Sequence, residues 1–264
     1  MTLARRFYSL YDRSRRSVRR PLSRLQLALD GIPKGSCEDF YSDASFWRPE
    51  WMGRSAWTEH APFAFWIVTT QRPRTIVELG THTGYSFLCF CQAVKKLGLS
   101  TKVYAIDTWD GDEHAGFYAN KIYDDLHSYQ ERHYAGFSKL IRANFDDAVH
   151  LFEDRSIDLL HIDGRHYYED VKHDFEAWRG KLSEQGVVLF HDTRVRRSKF
   201  GVRRLWSELA RNFPSFEFFH EHGLGILGCG PHVPQPVAKL LTLPNGGDVA
   251  GAVRLTYSRL GGAC

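Results

Sequence analysis

Cysteine is scarce and odd in number: Cys37, Cys89, Cys91, Cys229 and Cys264. None of them forms a C-x-x-C pair, so neither a disulfide framework nor a zinc knuckle is indicated, and a reducing, cytoplasmic setting is expected. No apolar run approaches the roughly 20 residues of a membrane-spanning helix. The amino terminus lacks the uninterrupted apolar core of a secretory leader. Internal repeats and low-complexity tracts are also missing. A general basic surplus is absent too, although the formal net charge is +4. Residues 1–24 carry eight arginines (Arg5, Arg6, Arg13, Arg15, Arg16, Arg19, Arg20, Arg24) against Asp12, which leaves 27 basic and 30 acidic residues elsewhere. A slightly acidic body argues against a nucleic-acid enzyme.

What is present is enough for a packed core. Hydrophobic residues make up 43% of the 264, and aromatic residues alone 14%. A surplus of aromatics on loops would suit a sugar-stacking or apolar acceptor surface. Residues 1–70 are read as a basic arm followed by a helical cap. The arm has partly helical apolar spacing broken by Pro21, and reads either as a solvated or subunit-packing segment or as an amphipathic segment touching an anionic membrane at its inner face. A homo-oligomer fits the first of these. Residues 58–68 suggest a helix entering the core, with Pro62 tolerated in its first turn.

From Thr75 apolar strands alternate with helical patterns. Strands are expected at 75–79, 102–106, 139–143, 157–162 and 186–190, and a last hairpin at 216–219 and 224–227. Helices are expected at 85–97, around 120–133, and at 146–152, 169–182 and 200–213. This alternation implies an α/β fold with a doubly wound, Rossmann-like, mostly parallel sheet over residues 71–230 and a C-terminal antiparallel hairpin. Residues 231–264, with Pro231, Pro234, Pro236 and Pro244, read as a tail wrapped on the surface.

In such sheets ligands sit at the carboxyl ends of the strands. Glu78-Leu79-Gly80-Thr81-His82-Thr83-Gly84 lies at such an end. Gly80 would allow the sharp turn, and Gly84 would let the helix start close to a ligand. Asp107 closes the second strand, where an acid pairs with ribose hydroxyls. The middle glycine of G-x-G-x-x-G is missing, because His82 stands there, which disfavours a pyrophosphate-bearing dinucleotide and relaxes toward S-adenosylmethionine. The expected cofactor set is Glu78, Gly80, Thr81, Gly84, Tyr85, Ser86, Asp107 and Asp163; a purely structural carboxylate is the alternative for Glu78.

Asp163 and Asp192 end two strands that should be neighbours, about 4.8 Å apart. Two carboxylates that close repel each other unless a cation lies between them, and Mg²⁺ or Mn²⁺ answers this. Helix capping is the alternative role. His166, three residues past Asp163, is placed to act as a general base; otherwise it is a surface-loop histidine. His161 shares a face with Ile157 and Leu159 and reads as a core histidine. The segment 107–118 offers Trp109, Asp110, Asp112, His114 and Tyr118 for polyol recognition, or is simply a solvated acidic loop.

At these residues the chain resembles class I methyltransferases, and more closely the metal-dependent sugar O-methyltransferases of the macrocin and mycinamicin type and the cephalosporin hydroxylase-like group. Val77-Glu-Leu-Gly80 with Gly84, the stretch 158–167 and Gly186-Val-Val-Leu-Phe-His-Asp192 carry the resemblance, which spans residues 58–230. It implies cofactor binding near Glu78 and Asp107, metal at Asp163 and Asp192, and a base at His166. A third acidic ligand beside Asp192 is missing, so His191 or Thr193 would substitute. The expected activity is metal-assisted methylation of a sugar or glycan hydroxyl in surface-polysaccharide or glycoside biosynthesis, with Trp109, Asp112 and His114 toward the acceptor. A catechol-like acceptor, a nicotinamide oxidoreductase and a silent binding domain of a glycosyltransferase complex are the rivals.

Overall fold

The computed structural model describes residues 37–53, 55–112, 116–117, 120–197 and 199–263, with residues 112, 116 and 117 described by backbone alone. The basic arm, His114 and Tyr118 lie outside the described residues.

Three short 3-10 turns (Glu38–Phe40, Asp43–Phe46, Thr58–His60) lead into helix α1, Ala61–Gln71. Pro62 sits in its first turn, where a missing N–H leaves no bond unmade. Arg72 ends the helix in the left-handed conformation at φ 49°. Nearly every α1 residue is buried, as befits a helix that is apolar all round.

The sheet then builds from β1 (Thr75–Leu79), β2 (Lys102–Asp107), β5 (Ser138–Arg142), β6 (Ile157–Ile162), β7 (Leu182–His191), β8 (Ser215–Phe218) and β9 (Leu224–Gly228). A two-residue ribbon, β3 (Gly111–Asp112) with β4 (Gly116–Phe117), interrupts the long connection after β2. Helices α2 (Tyr85–Leu97), α3 (Lys121–Tyr134), α4 (Phe145–Ala148), α5 (Tyr168–Trp178) and α6 (Val202–Leu209) fill the crossovers. The order is β5-β2-β1-β6-β7-β9-β8, parallel except for β9, which runs antiparallel to both neighbours. The fold class read from the sequence is the one observed.

Topology positions the site. The chain leaves β1 toward β2 and β5, then returns to β6 on the other side of β1. That reversal opens a crevice at the carboxyl ends of β1 and β6, the switch point where open α/β sheets bind ligands. Every residue of β6 is buried, as expected of a strand covered on both faces. One apolar cluster packs α1 and α2 on one face of the sheet, and a second packs α5 and α6 on the other.

Residues 231–264 differ from the expected surface tail. They form α7 (Gln235–Leu241) and α8 (Asp248–Gly261), which contribute Val237, Leu240, Val253 and Tyr257 to the core. Pro236 stands in the first turn of α7, so the prolines mark a helix start rather than a coil. Among the described residues no helix is long and apolar enough to cross a membrane.

Candidate active site at the switch point

A cleft of about 870 Å³ opens at the carboxyl edge of the sheet. One wall is the turn after β1. Gly80 has φ +85°, and a Cβ there would run into the Asp163 backbone, so only glycine lets the loops after β1 and β6 meet. Gly84 sits at φ +80°, a conformation that favours glycine, and a Cβ there would also press on the Leu126 side chain of α3. His82 stands in the left-handed region at φ 49° and is held from both sides. Its N–H donates to Asp107 Oδ2 at 3.0 Å, and its carbonyl accepts from Trp109 Nε1 at 3.0 Å.

Asp107 ties this turn to the end of β2. Its Oδ2 also accepts the Thr81 N–H at 2.8 Å, and its Oδ1 the Trp109 N–H at 2.8 Å. A carboxylate has about four acceptor positions, so three backbone bonds leave one for a ligand. Thr81, Tyr85, Ser86 and Asp107 all line the cleft. Thr81 Oγ1 is buried there without a partner.

The opposite wall holds the acidic cluster. Because β6 and β7 are adjacent and in register (Ile162 opposite Phe190), Asp163 and His191-Asp192 emerge side by side. Ligand atoms of Asp163, His191 and Asp192 lie within 4.8 Å of one another. His166 Nε2 is 2.7 Å from Asp192 Oδ2 and 3.7 Å from Asp163 Oδ1. His191 Nδ1 is 3.2 Å from Asp163 Oδ1. Asp192 adopts φ 62°, a left-handed conformation that aspartate tolerates better than most residues.

The electrostatics follow from this crowding. Burial alone would raise both carboxyls. The His191 charge and hydrogen bonds from His166 and His191 outweigh it at Asp163 and bring its pKa down to about 2. At Asp192, bonds from His166 and His222 outweigh burial and hold the group well below the usual carboxylate range. Burial likewise opposes charge on His166, but the two aspartates prevail and push its pKa up to about 10. His191 is also raised, burial again being outweighed by Asp163.

Several sequence expectations need correction. Glu78 does not reach the cleft wall. It is fully buried, and its Oε2 lies 2.8 Å from Nδ1 of His161, the residue opposite it on β6. Trp57 Nε1 donates to His161 Nε2 at 3.1 Å, so the His161 proton sits on Nδ1 and points at Glu78. Burial raises the Glu78 pKa, against hydrogen bonds from His161 and Ser86. Trp109 is not an acceptor platform either. The Asp107 bond to its N–H curls the chain into a side-chain-capped turn, with Trp109 at φ 55°, 1% exposed and edge-on to Tyr123 at 4.9 Å. For Asp112 only the backbone, in β3, is described.

Sequence reasoning missed His222 and Phe200. His222 comes from the turn between β8 and β9, and its Nδ1 lies 2.9 Å from Asp192 Oδ1. Phe200 stacks on His166 at 4.7 Å and 7°. Neither has a local signal, since both arrive by tertiary packing; only the hairpin next to the fifth strand hinted at His222.

Comparison with known proteins agrees with this architecture. Residues 77–193, from β1 to the residue after Asp192, match the family model of a methyltransferase domain. The uncharacterized protein y4gI of Sinorhizobium fredii is 52% identical over 191 residues, which is 71% of this chain and 21% of that protein. The chain thus corresponds to about a fifth of that relative's length. A Staphylococcus aureus structure provisionally assigned as a caffeoyl-CoA O-methyltransferase superposes with a TM-score of 0.51 at 16% identity, covering 67% of this chain and 84% of its own. A Corynebacterium glutamicum structure gives a TM-score of 0.50 at 13% identity, covering 78% of this chain and 95% of its own. The fold is therefore the Rossmann-like fold of these structures, and residues 77–193 are similar in sequence to a methyltransferase domain.

Proposed function

We propose that this methyltransferase domain makes the chain an S-adenosylmethionine-dependent O-methyltransferase, assisted by a divalent cation and acting on a hydroxyl of a sugar or glycan. The observation that carries the proposal is the facing of two walls across one cleft. The Gly80 turn with Thr81, Ser86 and Asp107 stands on one side, and Asp163, His166, His191 and Asp192 stand on the other.

The residues fit both small molecules. About 870 Å³ falls within the usual range of small-molecule sites. The unpartnered Thr81 Oγ1 and the remaining acceptor position of Asp107 suit the hydroxyls and amine of a nucleoside-type cofactor. The two carboxylates are hard oxygen donors that suit Mg²⁺ or Mn²⁺, and the borderline imidazole beside them inclines the set toward Mn²⁺. When bound there, a divalent cation would make a coordinated hydroxyl more acidic.

His166 is the base for the acceptor hydroxyl, its ring anchored through Nε2, which faces Asp163 and Asp192. The ring must first be neutral, whereas the two aspartates alone hold it protonated, with a pKa of about 10. A cation held by the same carboxylates would disfavour the imidazolium and leave the ring in its basic form. Phe200 fixes the plane of the ring by stacking on it. His222 holds Asp192 through Oδ1. Methyl transfer is an in-line displacement, so the walls serve to align oxygen, methyl carbon and sulfur.

Paired hydroxyls of a sugar match the donor set and the polar rim of His82, Thr83, Thr108 and Asn144; catechols match the donor set alone. Contact of residues 1–24 with anionic lipid is proposed from their arginine content, and deletion of the arm should reduce liposome association. The test of the activity is transfer of labelled methyl from S-adenosylmethionine to a panel of deoxysugar-containing glycans and catechols. Turnover on glycans is expected; turnover on catechols alone would overturn the acceptor class.

A further inference from the structure

A second groove, of about 470 Å³, lies along Val195, Arg196, Arg197, Phe200 and α6. Val195, Arg197 and Phe200 line both spaces, so the two adjoin. The groove gathers Arg196, Arg197, Arg203, Arg204 and Arg211 around a single acid, Glu208. Glu208 is already engaged: Arg204 Nε lies 3.2 Å from its Oε1, and the Tyr168 hydroxyl donates to its Oε2 at 2.7 Å. Arg204 is further committed, its guanidinium lying 3.8 Å from the Tyr168 ring centre. The guanidinium groups of Arg196, Arg197 and Arg211 have no ion pair or hydrogen bond among the described residues. Arg203 and Ser207 share one face of α6, and Arg211 follows in the turn after it.

The groove is mechanically joined to the base. Gly201 N–H donates to the His166 carbonyl at 2.6 Å, and a Cβ on Gly201 would strike the Tyr168 backbone. Phe200, one residue earlier, is the ring stacked on His166. A ligand held by the arginines therefore has a defined position relative to the reacting hydroxyl. Guanidinium groups recognise phosphate oxygens in bidentate fashion, and several around one groove suit a multiply charged anion.

We infer that the arginine groove is a diphosphate subsite, so that the acceptor is a sugar carried on a diphosphate ester, with its hydroxyl at Asp163 and Asp192 and its diphosphate at Arg197, Arg203 and Arg211. This rests on the methyltransferase reading and narrows its substrate class. A small catechol would leave the groove unused.

The test is calorimetry of the full chain with inorganic pyrophosphate, beside a variant combining Arg197→Gln, Arg203→Gln and Arg211→Gln. Saturable binding that weakens with salt is expected. The variant should lose about 1,000-fold, at roughly tenfold for each of the three charge-assisted contacts removed. S-adenosylhomocysteine, titrated into the same two proteins, should bind both equally. Absence of pyrophosphate binding, or equal affinity in the variant, overturns the subsite. Absence of S-adenosylhomocysteine binding instead overturns the methyltransferase reading. Uridine diphosphate and detergent-dispersed farnesyl diphosphate separate the two carriers: tighter binding of the first assigns a nucleotide, of the second an isoprenoid lipid. If neither exceeds pyrophosphate, the groove does not serve an acceptor.

Discussion

Asp192 shows how much the site depends on single residues. Its left-handed backbone turns one carboxylate toward His166 at 2.7 Å and toward His222 at 2.9 Å. His166 gives the clearest pH signature. Its folded pKa, about 10, lies above the ordinary 6.5, so its stabilising contribution is complete below about pH 6.5 and is lost as pH rises through 10. Metal-free protein should therefore lose thermal stability between about pH 7 and 10, and His166→Gln should flatten that part of the profile. An equally steep decline in the variant would place the titrating group elsewhere. In turnover, His166→Gln should cost about 10²–10⁴-fold while S-adenosylhomocysteine binding stays intact; a loss below tenfold would make His166 a bystander. Asp163, His166 and Asp192 were legible because each follows directly from a recognisable strand end. Glu78 and Trp109 were not. Pairing of Glu78 with His161 depends on cross-strand register, and the burial of Trp109 on a turn capped by Asp107. Neither is written in local spacing.

Among the elements, α8 departs most from what the sequence suggested. Its buried positions Ala250, Val253, Tyr257 and Leu260 recur at helical spacing, but the prolines before it drew the reading toward a coil. Tyr257 joins the carboxyl-terminal helix to the first described turns and to the sheet. Its hydroxyl donates to the Phe40 carbonyl at 2.8 Å, and its ring packs edge-on to Phe63 and tilted-edge to Phe218. Tyr257→Ala should destabilise the fold by about 3–5 kcal/mol through the cavity it leaves. Tyr257→Phe should cost only about 1–3 kcal/mol, because the Phe40 carbonyl loses its donor. Chemical denaturation measures both, and a near-neutral Tyr257→Ala would show that α8 is an appendage. The turn after β1 makes a contrasting case. There Gly80→Ala should lower S-adenosylhomocysteine affinity as well as stability, because the φ +85° turn and its contact with the Asp163 backbone shape the cleft itself. Unchanged affinity in a folded Gly80→Ala protein would remove this turn from the cofactor site.

At the scale of the whole molecule, the order β5-β2-β1-β6-β7-β9-β8 brings residues 80, 107, 163, 192 and 222 to one edge. The alternation of strands and helices made the parallel sheet legible, and the ends of the fourth and fifth strands predicted where the acids would meet. The third contributor, the β8–β9 turn with His222, is brought in by β9 pairing antiparallel to β7, which strand alternation does not encode. We propose that this edge transfers a methyl group with a divalent cation held by Asp163, His191 and Asp192. The most direct test is labelled-methyl turnover on a responsive glycan before chelation, after exhaustive treatment with EDTA, and after Mg²⁺ or Mn²⁺ is returned, with Asp192→Asn in parallel. The account predicts that turnover disappears on chelation and returns with the cation in the wild type, while Asp192→Asn stays inactive throughout. Undiminished transfer in the chelated wild-type protein would contradict it.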